Sequence, residues 1–154
     1  MEMNTGPDTG QNNDWGYHGH VGPSRWGKLG DEFAVCSFGS EQSPVNIETG
    51  DVKPADLPHI TFHYTPSEYR IVNNGHTIET DSLINPAALL PSNRDYFADK
   101  GSLTTPPCSE NVRWCVLKMP VALSVEQINA FRALYPMNAR PVQPVNDRVT
   151  RSNN

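Results

Sequence analysis

The chain has 154 residues, with 12 Lys and Arg against 17 Asp and Glu for a formal charge of −5; this suits one domain and argues against a nucleic-acid groove or a polybasic membrane patch. Its longest purely apolar run, Ala87-Ala88-Leu89-Leu90, is far short of the roughly 20 residues a membrane-spanning helix needs, and no export signal is visible at Met1-Glu2-Met3-Asn4. With 14 Pro and 11 Gly spread along the chain, coiled coils and helical bundles are excluded, and a mainly β (α+β) domain with a thin core is expected.

Residues 1–13 are polar and aperiodic and are expected to form a disordered leader. The domain is expected to run over residues 14–149, followed by a frayed tail at 150–154. From Asp14 to about Pro58, aromatic residues (Trp15, Tyr17, Trp26, Phe33 and Phe38) are separated by Gly and Pro. Such an arm should wrap a core formed elsewhere. Strand signals follow at residues 60–64, 69–72 and 76–80, with Asn73-Asn74-Gly75 as turn chemistry for a hairpin between the last two. Residues 112–118 alternate Val112, Trp114 and Val116 with Arg113, Cys115 and Leu117, a pattern expected of a central strand covered on both faces. A helix is predicted from Ser124, where Gln127 completes a capping box, and it should end before Pro136. Residues 138–148 read as an extended closing segment.

Three cysteines, Cys36, Cys108 and Cys115, contain no C-x-x-C pair, which leaves one disulfide plus a leftover thiol as an arithmetical option. His18 and His20 form the H-x-H pair of the chain. In an extended segment they would face one side, but two imidazoles flanking a glycine in a loop are expected to be solvated rather than metal-bound.

Several stretches occur in the same order as in one enzyme family. They are Trp15-Gly16-Tyr17 with Gly22-Pro23 and Trp26, then Gln42-Ser43-Pro44-Val45-Asn46-Ile47, then Asn73-Asn74-Gly75-His76-Thr77. Next come Gly101-Ser102-Leu103-Thr104-Thr105-Pro106-Pro107-Cys108 with Glu110, Val112 and Trp114, and finally Arg140-Pro141-Val142-Gln143-Pro144. Together they resemble the alpha-class carbonic anhydrases, especially the bacterial ones. The resemblance implies a large, twisted, mostly antiparallel sheet with short peripheral helices. It also implies the family reaction, reversible hydration of carbon dioxide to bicarbonate and a proton, with zinc held by three histidines as the cofactor.

By the same resemblance His76 matches the proton shuttle and Thr104 the hydroxyl that orients zinc-bound hydroxide. Leu103, Val112 and Trp114 match the apolar wall for carbon dioxide, while Thr105, Tyr17 and Asn74 match polar groups that order cleft water. Cys36 and Cys108 match a family disulfide, which leaves Cys115 as an expected buried thiol and points to the periplasm or the cell exterior.

One departure governs the rest. The family's central strands, which carry the zinc histidines and the glutamate behind the threonine, have no counterpart; residues 79–84 join the flanking pieces directly. The lone histidine in Phe62-His63-Tyr64 does not replace an alternating pair, so no metal ligand is assigned. Exposed sheet edges, and self-association through them, are the expected consequence. A non-catalytic binding module or an inactive deleted form of the family fold stands as the alternative to an enzyme.

Overall fold

The structure, a computed structural model, describes residues 15–65, 67–68, 83–134 and 137–153. Its principal sheet has four strands in the order β1-β6-β4-β5. The strands are β1 (Lys53–Pro54), β4 (Tyr96–Ser102), β5 (Glu110–Leu117) and β6 (Arg151–Ser152). β5 and β6 both pair antiparallel with β4, and β1 pairs parallel with β6. A separate two-stranded ladder joins β2 (Ser67–Glu68) to β3 (Leu83–Ile84), antiparallel. Helical structure is short and peripheral: several 3-10 turns, α1 (Val35–Phe38) and α2 (Val125–Leu134). The mainly β, mostly antiparallel architecture agrees with the expectation from sequence.

The β4–β5 hairpin is the backbone of the domain, in register from Tyr96 opposite Leu117 to Ser102 opposite Glu110. The register shifts between Gly101 and Ser102, which leaves Asn111 as the extra residue of a bulge with φ of 69°. Asn tolerates that left-handed conformation better than most residues. At Gly101 a Cβ would fall onto the Ser43 hydroxyl and against the Trp114 indole, so glycine is required for the close approach of the arm to β4.

Several expectations are corrected. Residues 60–64 form no strand; among the described residues no strand edge pairs with them, and a strand without a ladder is not stable. Segment 112–118 does form a strand, over Glu110–Leu117, but among the described strands it is the outermost of its sheet and not a central one. Its Cys115 is accordingly exposed rather than buried. The aromatic arm does not wrap a core made elsewhere: Trp26, Phe33, Cys36 and Cys108 are the buried cluster, with Trp15, Tyr17 and Leu29 packed against it. At the other end, where fraying is expected, β6 lies between β1 and β4, and Ser152 and Asn153 are buried. Asn153 accepts from the Tyr96 backbone N–H at 2.7 Å.

The helix α2 begins as predicted. Ser124 N–H donates to Gln127 Oε1 at 2.9 Å, and Gln127 N–H donates to Ser124 Oγ at 3.2 Å, satisfying two donors that a helix start leaves open. Its apolar residues Val125, Ile128 and Leu134 nevertheless remain exposed. The predicted leader, the strands at 69–72 and 76–80 and the Asn73-Asn74-Gly75 turn lie outside the described residues.

Candidate functional site

The loop that closes the β4–β5 hairpin holds the densest group of predicted site residues. Leu103 N–H donates to the Ser109 carbonyl at 2.9 Å, and Cys108 N–H donates to the Thr105 carbonyl at 2.9 Å. These bonds fix the Thr104-Thr105-Pro106-Pro107 turn between them. Behind it, Ser43 and Ser102 exchange bonds: Ser43 N–H donates to Ser102 Oγ at 2.9 Å, and Ser102 N–H donates to Ser43 Oγ at 3.1 Å. The indole N–H of Trp114 donates to the Ser102 carbonyl at 3.0 Å, which fixes the ring against the turn.

The structure therefore brings Leu103, Thr104, Thr105, Val112 and Trp114 to one end of the hairpin. Thr104, Thr105 and Val112 are half-buried, while Leu103 and Trp114 are exposed. Tyr17 sits in the aromatic cluster, edge-on to Trp15 and Trp26, and burial pushes its phenol pKa up. It is linked to the turn by the disulfide between Cys36 and Cys108, which is present as expected. His76 and Asn74 lie outside the described residues. A cavity of about 930 Å³ lined by Tyr96, Asp99, Lys100, Arg113 and Arg148 lies on the opposite side of β5, since Arg113 and Cys115 alternate with Val112 and Trp114. None of the described predicted site residues lines it.

A buried polar network supports the turn. Arg140 Nη1 donates to Gln42 Oε1 at 2.8 Å and to the Ser43 carbonyl at 2.9 Å, and Nη2 donates to the Cys36 carbonyl at 2.8 Å. Gln42 Nε2 in turn donates to the Cys108 carbonyl at 3.1 Å and to Glu110 Oε1 at 3.0 Å. The motifs named from sequence contain Gln42, Ser43, Ser102, Glu110 and Arg140, but local pattern assigns them no role. Their partners lie 59 to 104 residues away, and only the closed fold makes the network.

Glu110 titrates below the usual carboxylate range. The Gln42 side-chain bond is the chief cause, opposed by burial and assisted by the Glu41 N–H and the positive charges of Arg148 and Lys100. A folded pKa below the unfolded one contributes stability that is complete above the ordinary glutamate range and is lost as pH falls through the depressed value. Glu110→Gln is therefore expected to flatten the acid limb of stability. Melting temperatures compared from about pH 7 to about pH 3 check this; equal slopes in both proteins would refute it.

Among the described residues no three His, Cys, Asp or Glu side chains converge on one point. His18, His20, His59 and His63 are all exposed. His18 and His20 flank Gly19, whose φ of 60° opens a 3-10 turn and abolishes the extended geometry an H-x-H pair would need. These residues do not fit a zinc centre, which requires three protein ligands at about 2.0–2.1 Å around an open fourth position.

The model of the eukaryotic-type carbonic anhydrase family matches residues 21–83 and 79–154. The chain belongs to that family. It is 28% identical to a carbonic anhydrase of Nostoc over 234 residues, covering 94% of this chain and 88% of the relative. With that of Neisseria gonorrhoeae it shares 30% over 224 residues, covering 91% and 88%. The fold superposes on the alpha-carbonic anhydrase of Thermovibrio ammonificans, solved with the inhibitor sulfanilamide, with a TM-score of 0.85 and 30% identity, covering 90% of this chain and 98% of that one.

Both alignments are longer than the 154 residues of this chain, so at least 80 positions of the Nostoc carbonic anhydrase (234 less 154) face no residue here. The family model breaks into two pieces that meet at residues 79–83, where the interrupted middle was located from the motifs. Among the described residues no helix is long and apolar enough to cross a membrane.

Proposed function

We propose that this chain is a carbonic anhydrase family module that keeps the carbon-dioxide-facing wall and the threonine turn but has no zinc-ligand set of its own. The family reaction is the reversible hydration of carbon dioxide to bicarbonate and a proton; the isolated chain is expected to be inactive in it. The observation that carries this reading is the family match in two pieces that meet at residues 79–83, together with an alignment to the Nostoc relative that is longer than this chain. The dispersed histidines support it.

In this reading Leu103, Val112 and Trp114 present the apolar surface on which carbon dioxide docks. By their match to the motif, Thr104 takes the hydroxide-orienting position and Thr105 and Tyr17 the water-ordering ones. His76 and Asn74 take the proton-shuttle and water-ordering positions by their match to the motif. Without a metal-held hydroxide these groups dock and orient but have no nucleophile to direct. The Cys36–Cys108 bridge supports an oxidising compartment, the periplasm or the cell exterior.

The test is zinc per chain by elemental analysis on gel-filtered protein prepared without a metal-binding tag, paired with carbon dioxide hydration kinetics. We expect zinc far below one equivalent and hydration at the buffer rate. Near-stoichiometric zinc with hydration that a sulfonamide abolishes would overturn the reading and restore the enzyme.

A further inference from the structure

β5 lies at the edge of the sheet yet has the side chains of an interior strand. No described strand pairs with its outer side. Trp114 and Val116 on one face are 37% and 44% exposed, and Cys115 on the other is exposed. Natural edge strands are blunted by proline, β-bulges or charged side chains. Between Val112 and Leu117 β5 carries only Arg113 as a charge and no proline, and its bulge lies at the Asn111 end.

Beyond the strand, Met119, Val121, Leu123, Val125 and Leu134 are exposed as well.

We propose that a second copy of this chain completes the sheet, its β5 pairing antiparallel with the first across a twofold axis at Trp114. An isologous contact of this kind needs no other partner, because a strand meeting itself antiparallel is self-complementary. Register follows from side-chain chemistry. Only registers centred on a residue, rather than between two, keep Val112, Trp114 and Val116 of both copies on one face. Centring on Arg113 sets like charges opposite each other, which is destabilising. Centring on Cys115 faces Arg113 with Leu117 and shortens the overlap. Centring on Trp114 sets the two indoles opposite each other, Val112 against Val116, and Arg113 against Cys115. The device is independent of zinc.

Sedimentation of the full chain at micromolar concentration tests it. A discrete dimer is expected, and Val116→Lys, which places a charge on the shared face, should weaken association at least tenfold. Because that variant could lose structure, Arg113→Cys supplies a second reading. The introduced thiol would lie opposite Cys115 of the partner copy, so oxidised glutathione should convert it to a covalent dimer far faster than the wild type. Each bridge formed releases two thiols as reduced glutathione. Adding Cys115→Ser should abolish the bridge. A monomeric wild type, an open-ended series of aggregates, or a dimer insensitive to Val116→Lys and without the bridge would overturn the proposal.

Discussion

Opening the Cys36–Cys108 bridge is expected to remove about 4 kcal/mol of stability, because it closes a loop with a sequence separation of 72 and chain-entropy arguments give this magnitude for such a length. The consequence is larger here than in a domain with a broad core. Both cysteines belong to the cluster with Trp26 and Phe33, so the bridge ties the arm that supplies the buried aromatics to the hairpin that carries the threonine turn. For a chain of this size the loss corresponds to a fall in melting temperature of about 10 °C. Denaturant melts of the oxidised protein, the reduced protein and the Cys36→Ala/Cys108→Ala variant measure it. Parallel loss of the Trp26 fluorescence change would confirm that the arm detaches. A loss below about 1 kcal/mol would mean that the arm is held mainly by its hydrogen bonds and not by chain connectivity.

What the sequence disclosed follows from how far each signal reaches. The α2 capping box, the β5 alternation and the family motifs were legible because each lies within a few neighbouring residues. β4 was not, since Asp99, Lys100 and Gly101 interrupt any apolar alternation; Tyr96–Ser102 is a strand because β5 and β6 pair with it on either side. The same holds for β6, whose two residues are polar and gain strand geometry only between β1 and β4. The reading of β5 as a central strand was correct about its side chains and wrong about its place. Val112, Trp114 and Val116 have the pattern of a covered strand, while among the described strands β5 pairs with β4 alone. For the candidate site, the motif match named Leu103, Thr104 and Thr105 of the turn and Val112 and Trp114 of β5. The clamp behind them, Ser43 with Ser102 and Arg140 with Gln42, joins residues too distant in sequence for any local rule to connect.

Arg140→Ala is the single substitution expected to cost most after the bridge, about 3 kcal/mol. Arg140 is buried, and no ion pair among the described residues reaches it. Its charge is held by the three acceptors of Gln42, Ser43 and Cys36 and by the Trp26 ring 5.7 Å from the guanidinium carbon. Burial pushes its pKa down, but arginine remains protonated in proteins. Truncation leaves three acceptors without a donor in a dry region, and each orphaned group carries a desolvation penalty of about 1–3 kcal/mol before relaxation. Arg140→Lys keeps the charge but loses the two-pronged fork, so it should recover only part of the loss. The network makes a further outcome specific. Arg140 orients the Gln42 amide, whose other end donates to Glu110, so Arg140→Ala should raise the Glu110 pKa toward the ordinary range and shift the acid limb of stability upward in pH. A double-mutant cycle with Gln42→Ala measures the coupling, with an interaction free energy of about 1 kcal/mol or more expected for residues sharing a bond. Strict additivity, with an unchanged acid limb, would reduce Arg140 to a packing residue against Trp26.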